Sequence, residues 1–193
     1  VGVSWLPAIL RDAGYTAERA GALHGLLQLM SAVPALFLAP VVRRLRDQRG
    51  AAFLSAAASL VAFAGLVVAP RWATLWVVLM GLGTGGGIIL GLAFVGLRAS
   101  HAQQAAALSG MAQCVGYLFA ATGPALAGTL HDALGSWSVA LGLCAALCLA
   151  MALAGLYAGR SIQIGQQRDD SLKAARPGSS TSAPMPAAHR PQA

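Results

Sequence analysis

Three polar side chains in a stretch without charged residues can hydrogen-bond a small solute. His24, Gln28 and Ser31 recur at i, i+4 and i+7, so they share one face of a predicted helix. An amide offers both a donor and an acceptor, and an imidazole also takes up a proton near neutral pH. In an apolar surrounding this stripe must face a protein interior or a water-filled cavity. The alternative role is hydrogen bonding between helices, which contributes about 0.6 kcal/mol per contact.

A second polar stripe, formed by Ser109, Gln113 and Tyr117 at a spacing of four, repeats this pattern later in the chain. A shift of 85 residues aligns Gln113 with Gln28, each within the sequence L-x-G-x-x-Q. Two matched glutamines favour one shared cavity that binds a small polar or singly charged solute. The shift also predicts an internal repeat whose two copies cross the membrane in opposite directions.

Both stripes lie in a series of segments that contain no Lys, Arg, Asp or Glu. About 20 apolar residues cross the hydrocarbon core of a bilayer as a helix. The predicted spans are residues 20–42, 51–69, 73–97, 105–130 and 136–158, and residues 1–10 are expected to be the clipped end of a further helix. The chain is 57% hydrophobic and only 10% charged, whereas soluble domains carry about 25% charged residues. Residues 1–160 are therefore predicted to form an all-α polytopic membrane bundle.

The net charge of +7 reports topology rather than nucleic-acid binding, because the basic residues lie between apolar spans instead of on one solvated face. Ten of the 13 Lys and Arg residues fall on one predicted side: Arg43, Arg44, Arg46, Arg49, Arg98, Arg160, Arg168, Lys173, Arg176 and Arg190. Only Arg11, Arg19 and Arg71 fall on the other side. Cytoplasmic loops are enriched in basic residues, so the carboxyl terminus is predicted to lie in the cytoplasm. Residues 161–193, rich in Ser, Pro and Ala, are expected to form a disordered cytoplasmic tail.

Glycine, cysteine and acidic residues further limit the chemistry of the chain. Gly83, Gly87 and Gly91, at a spacing of four in residues 73–97, favour close helix packing, with a bending cavity-facing helix as the alternative. Cys144 and Cys148 share a helix face, and small adaptable packing residues explain them better than a soft-metal site. All six acidic residues fall in predicted loops or the tail: Asp12, Glu18, Asp47, Asp132, Asp169 and Asp170. We therefore expect no metal and no cofactor.

Several motifs make residues 1–160 resemble the carboxyl-terminal six-helix half of a major facilitator superfamily transporter. Within that superfamily they resemble the cyanate and nitroimidazole transporters. The motifs are SWLPAIL at 4–10, GY at 14–15, AG at 20–21 and LHGLLQ at 23–28, followed by GY at 116–117, GP at 123–124 and LHD at 130–132, with Gly128, Gly135 and Trp137.

The resemblance implies a half of a 12-helix fold, built as a three-plus-three inverted repeat and placed in the bacterial inner membrane. It further implies secondary active transport of a cyanate-like anion or a nitroimidazole-like heterocycle by alternating access. The partners would be the lipid bilayer, the solute and a missing amino-terminal six-helix half, without which we expect no transport. The predicted site residues are His24, Gln28, Ser109, Gln113 and Tyr117, together with Trp5, which either lines the cavity or anchors the helix at the membrane interface.

Two other functions compete with transport. A structural or channel-forming bundle remains open, because a repeat does not by itself require alternating access. An intramembrane serine hydrolase is less favoured, since the sequence Ala107-Leu108-Ser109-Gly110 lacks the first glycine of the G-x-S-G turn. His131 also lies about 30 Å from Ser109 along a straight helix, too far to act as its base. We therefore predict that the protein is not an enzyme.

Overall fold

The computed structural model describes residues 1–44, 49–99 and 101–158, and it describes side chains in these ranges except at 38–44, 97–98 and 157–158. The predicted tail, 161–193, lies outside the described residues. The helices are α1 (Gly2–Asp12), α2 (Ala17–Arg44), α3 (Arg49–Val68), α4 (Ala73–Arg98), α5 (Ala102–Leu134) and α6 (Ser138–Ala158), with a short 3-10 turn at Pro70–Trp72. The described residues contain no strand, which confirms the predicted all-α class.

Five of these helices are long and apolar enough to cross a membrane. They lie over the five predicted spans and differ from them by a few residues at most ends, most visibly in α5, which runs over 33 residues. Helix ends are set by capping groups rather than by the edge of the apolar run, and this explains the difference. The Nδ1 atom of His101 accepts a hydrogen bond from the backbone N–H of Gln104 at 3.1 Å, so His101 is the N-cap residue of α5. Gly135 ends α5 in the left-handed conformation at φ 62°.

Helix α4 is the centre of the bundle, because α2 packs mainly against it and α3 packs about equally against α4 and α6. Val77 and Met80 of α4 are fully buried, as are Leu27 of α2 and Leu6 and Leu10 of α1. These side chains form the hydrophobic core. Helix α1 is attached through its contacts with α2.

Glycines on two opposite faces of α4 let its neighbours approach closely. A Cβ atom at Gly81 would lie 2.8 Å from the backbone oxygen of Leu27, and one at Gly85 would collide with the backbone oxygen of Ser31, so both glycines meet α2. A Cβ atom at Gly83 would collide with the hydroxyl of buried Ser59 on α3. Residues 81 and 83 are about 200° apart around a helix. Helix α4 therefore packs closely against α2 on one side and against α3 on the other, an arrangement here called the glycine clamp.

The expected close helix packing is present, but of the predicted glycines Gly83, Gly87 and Gly91 only Gly83 provides it. Gly87 has only the Cε atom of Met151 within ordinary contact distance, at 3.4 Å, and Gly91 has open space beside it. Gly81 and Gly85 take their place on the α2 side. A spacing of four identifies one face of α4, whereas two neighbours on opposite sides require two faces.

Helix α5 lies at the edge of the bundle and is covered least. Residues 111–120 are all exposed, including Tyr117 at 70% and Phe119 at 75%. Its contacts with α4 and α6 are few. Most of its attachment lies toward its carboxyl-terminal end, where Ala127 is buried.

Adding one methyl group at Gly85 tests the clamp on α4. We expect Gly85→Ala to destabilise the fold by about 1–3 kcal/mol, because the new Cβ meets the backbone of α2, which cannot move aside as a side chain can. The measurement is the midpoint of thermal unfolding of the purified protein in detergent. Gly91→Ala is the matched control on the same helix, and open space beside it together with the higher helix propensity of alanine should leave stability unchanged or slightly raised. Equal melting of the two variants would contradict the clamp.

Candidate functional site

An open cavity of about 570 Å³ lies at the junction of all six helices. Its apolar wall includes Leu27 of α2, Phe63 of α3, Met80 of α4 and Phe119 of α5. The first residues of α1 and the α6 side chains Cys144 and Leu147 complete the lining. This volume lies within the range of small-molecule sites, which are mostly apolar with a few placed polar groups.

Three polar side chains interrupt this apolar wall: Gln28 and Ser31 on α2, and Thr84 on α4. The hydroxyl of Ser31 donates to the backbone oxygen of Gln28 at 2.8 Å, and that of Thr84 donates to the backbone oxygen of Met80 at 2.7 Å. Because each hydroxyl proton is used within its own helix, the hydroxyl oxygens remain available only as acceptors. The exposed amide of Gln28 adds a donor to this set.

The glycine contacts described above bring these polar groups together. Gly81 and Gly85 hold α4 against the turns of α2 that carry Gln28 and Ser31, and Thr84 lies between Gly83 and Gly85 in the sequence. Thr84 was not among the predicted site residues. The sequence feature that could have identified Thr84 is that it is the only polar residue in the glycine-rich stretch 81–91.

His24 lies one turn before Gln28 on α2 and is half-buried outside the cavity lining. Its Nδ1 atom is buried and makes no hydrogen bond among the described residues. Buried polar atoms normally have a hydrogen-bond partner, so this nitrogen is an exception within the described chain.

The second polar stripe does not meet the first within the described chain. Gln113 donates from Nε2 to the Oγ atom of Ser109 at 3.0 Å, so these two residues bond within α5. Gln113 and Tyr117 are exposed and lie outside the cavity lining, to which α5 contributes Phe119, Ala120 and Gly123. The two glutamines matched by the repeat thus face different surroundings here.

Trp5 packs between α1 and α5 instead of lining the cavity. Its Nε1–H donates to the backbone oxygen of Pro124 at 2.8 Å, and its ring lies 3.0 Å from the position of a Cβ atom at Gly128. The absent side chain at Gly128 makes room for the indole ring. Trp5 therefore joins α1 to α5.

A cluster of Trp5, Asp12, His131 and Trp137, here called the tryptophan cluster, ties α1 and α5 to the residue that directly precedes α6. The Nε1–H of Trp137 donates to Oδ2 of Asp12 at 2.7 Å, and Nε2 of His131 lies 3.5 Å from the same oxygen. The rings of His131 and Trp137 are stacked with centroids 4.0 Å apart, and those of Trp5 and Trp137 are 5.3 Å apart. This cluster secures the sparsely packed α5 at one end.

A bundle of membrane-spanning helices around a solute-sized cavity with a few polar groups is the architecture of a membrane transporter. Comparison with known proteins agrees with this class. Residues 2–188 match the Major Facilitator Superfamily, and the chain belongs to that family.

Named relatives narrow the resemblance. The chain is 53% identical over 162 residues to the 2-nitroimidazole transporter of Escherichia coli (strain K12), covering 84% of this chain and 41% of that protein. It is 41% identical over 167 residues to an uncharacterized transporter, YycB, of Bacillus subtilis (strain 168), with coverage of 85% and 41%. The cyanate transport protein CynX of Escherichia coli (strain K12) is 32% identical over 139 residues, with coverage of 70% and 35%. No solved structure matches the chain.

These relatives confirm the predicted resemblance to nitroimidazole and cyanate transporters. The chain spans about two fifths of the length of the first relatives it matches. The relatives bear the names of transporters and not of enzymes.

Removing the hydrogen-bond donor of Trp137 tests the tryptophan cluster. Trp137→Phe keeps the aromatic packing but leaves Asp12 without its indole donor, so we expect a loss of about 1 kcal/mol in the free energy of unfolding. Thermal unfolding in detergent measures this loss. Trp72→Phe is the matched control because the Trp72 side chain is 57% exposed. If Trp137→Phe melts at the same temperature as Trp72→Phe, the cluster does not hold α5.

Proposed function

We propose that this chain forms half of a secondary active transporter for a small planar nitrogen heterocycle, and that the solute binds in the cavity lined by Gln28, Ser31 and Thr84. The observation that supports this solute class is the composition of the lining. Two hydroxyl acceptors and one amide in an apolar wall match a ring that carries both N–H donors and acceptor atoms.

A planar heterocycle fits this lining better than a compact anion does. The described cavity wall contains the aromatic rings of Phe63 and Phe119 but no Lys or Arg side chain. Aromatic rings stack on flat solutes, whereas a desolvated anion needs a cation or several donors. The name of the 2-nitroimidazole transporter, at 53% identity, points to the same solute class.

The predicted residues that lie outside the cavity lining remain part of the proposal. Gln113 and Tyr117 are polar and exposed on a helix that would cross a bilayer, where contact with lipid leaves the Tyr117 hydroxyl and the remaining amide groups of Gln113 unsatisfied. We infer that an amino-terminal six-helix half covers this face of α5 and closes the cavity. His24 and Gln113 would then lie along the solute path between the halves, near the bilayer midplane.

Transport would follow by rocking of one half against the other around the bound solute. The polar groups of the cavity hold the solute in an orientation fixed by their donors and acceptors. The apolar wall replaces the hydration of the flat faces of the solute. This chain supplies the wall on which the proposed second half closes.

Replacing the cavity amide tests the site. Gln28→Leu keeps the approximate size of the side chain and removes one hydrogen bond to the solute. We therefore expect the concentration of 2-nitroimidazole that gives half-maximal counterflow to rise about fivefold. The assay is counterflow of radiolabelled 2-nitroimidazole in proteoliposomes that contain the intact transporter, because counterflow needs no assumption about ion coupling. Unlabelled cyanate as a competitor separates the two solute classes, and we expect it to compete weakly.

Gln103→Leu is the matched control, because Gln103 is an exposed glutamine in the first turn of α5, away from the cavity. Its counterflow should equal that of the parent protein. Gln113→Leu should resemble Gln28→Leu if the second stripe borders the solute path. Unchanged counterflow in Gln28→Leu, with normal abundance, would refute the site and leave the polar stripe as interhelical hydrogen bonding.

The orientation of the bundle is tested by labelling single cysteines. We propose that the carboxyl terminus and the turn between α4 and α5 lie in the cytoplasm. In a variant with Cys114, Cys144 and Cys148 replaced by alanine, Thr16→Cys should react with a membrane-impermeant maleimide added to intact cells. Gln103→Cys should react only after permeabilisation. The opposite labelling pattern would reverse the topology.

A further inference from the structure

A polar cavity of about 410 Å³, here called the arginine pocket, lies where the connection between α1 and α2 meets the 3-10 turn before α4. It shares no lining residue with the solute cavity. Arg19 and Arg71 both line it, and no acidic residue of the described chain does. The lining residues are Ala13, Gly14, Tyr15, Thr16, Arg19 and Arg71. The pocket therefore brings two positive charges to one small surface.

The side chain of Tyr15 contacts both arginines of the pocket. Its hydroxyl donates to the backbone oxygens of Pro70 and Arg71, each at 3.0 Å, and so fastens the turn that carries Arg71 to the connection between α1 and α2. The guanidinium of Arg19 lies over the Tyr15 ring, 5.5 Å from its centroid. A cation above an aromatic face is attracted to it. One half-buried side chain therefore brings together two arginines that are far apart in the sequence.

The arginine pocket offers hydrogen-bond donors that lack an anionic partner. Among the described residues neither guanidinium forms an ion pair with a carboxylate, and Glu18 of the first turn of α2 lies outside the lining. The Thr16 hydroxyl oxygen accepts a hydrogen bond from the backbone N–H of Arg19 at 3.3 Å, which leaves the hydroxyl proton available. Helix α2 also begins beside the pocket, and the amino-terminal end of a helix carries a partial positive charge. Together these groups favour an anion with several acceptor oxygens.

The position of the arginine pocket along the helices indicates which anion reaches it. Arg19 directly precedes the predicted span 20–42, and Arg71 lies two residues before the predicted span 73–97. Both arginines therefore lie at an end of the apolar spans, at the level where a bilayer presents its phosphate groups. Next to Arg71, Trp72 is 57% exposed, and tryptophan is enriched at this interface. The planar guanidinium of arginine binds phosphate oxygens through several N–H groups.

We propose that the arginine pocket binds a phosphate group, which is held by Arg19, Arg71 and the hydroxyl of Thr16. The location at the membrane interface favours the head group of a phospholipid over free phosphate as its source. The bound phosphate joins the connection between α1 and α2 to the turn before α4, and so stabilises this end of the bundle. The proposal depends on the contacts of Tyr15 and not on the identity of the solute.

Thermal unfolding of the intact transporter in detergent tests the site with soluble short-chain lipids. Dihexanoylphosphatidylglycerol should raise the melting temperature as its concentration increases, because a ligand that binds only the folded state stabilises that state. Dihexanoylglycerol, which has the same acyl chains but no phosphate, should leave the melting temperature unchanged. Inorganic phosphate separates the two sources. A smaller shift than with the phospholipid at equal concentration assigns the site to a lipid head group, and an equal shift assigns it to soluble phosphate.

Single charge replacements separate the arginine pocket from general surface charge. Arg19→Gln and Arg71→Gln should each raise the concentration of dihexanoylphosphatidylglycerol that gives half of the full temperature shift by at least about fivefold, because each loses a charge-assisted hydrogen bond to phosphate. Arg11→Gln is the matched control, since Arg11 is an exposed arginine at the same end of the bundle and outside the pocket. It should titrate like the parent protein. The melting temperature without ligand shows that each variant is folded.

Three results would overturn the phosphate site. The first is a parent protein whose melting temperature responds to neither phosphate compound. The second is an equal shift with dihexanoylglycerol, which would assign the effect to the acyl chains. The third is the same titration in Arg11→Gln as in Arg19→Gln and Arg71→Gln, which would assign it to surface charge alone.

Discussion

The close approach of α4 to α2 and α3 is the contact on which the rest of this structure depends. In a bilayer, helices gain little from hiding apolar surface, because lipid tails are as apolar as leucine. They associate instead where small residues let backbones come close enough for dispersion contacts. Gly81 and Gly85 provide this on the α2 side, and Gly83 provides it against Ser59 on the α3 side. The central position of α4 follows from having glycines on both faces.

The same contact shapes two concave surfaces of the bundle. On one side of α4 it aligns Thr84 with Gln28 and Ser31, which gives the cavity its few polar groups. On the other side it leaves an apolar groove of about 460 Å³, here called the trough, whose walls include Phe37 of α2 and Leu54 of α3. A larger side chain at Gly85 would therefore change the solute cavity and the trough together, since both take their shape from the distance between α4 and its neighbours.

The sequence predicts the helices well because the bilayer imposes a length and a composition on each span, and both can be read without knowing the neighbours. The sequence predicts less well which face of each helix contacts its neighbours or lines the cavity. The spacing of His24, Gln28 and Ser31 places them on one helix face, but only contact with α4 determines that Gln28 and Ser31 line the cavity while His24 lies outside its lining. Residue spacing could not identify Thr84 as a cavity residue, because a single hydroxyl among glycines forms no periodic pattern. The repeat pairs Gln113 with Gln28 in sequence, yet it does not fix the rotation of α5 about its own axis.

The uneven attachment of α5 has a consequence for movement. At one end the helix is held by a hydrogen bond from Trp5 to Pro124, and by His131 stacked on Trp137 beside Asp12. Toward the other end, residues 111–120 are exposed and make few contacts within this chain. A helix fixed at one end and free along the rest pivots about its fixed end. In α5 the fixed end lies at the tryptophan cluster, and the sparsely packed part carries Gln113 and Tyr117. Because Pro124 lies between these two parts and cannot donate a backbone hydrogen bond, α5 bends most easily next to the point where Trp5 holds it.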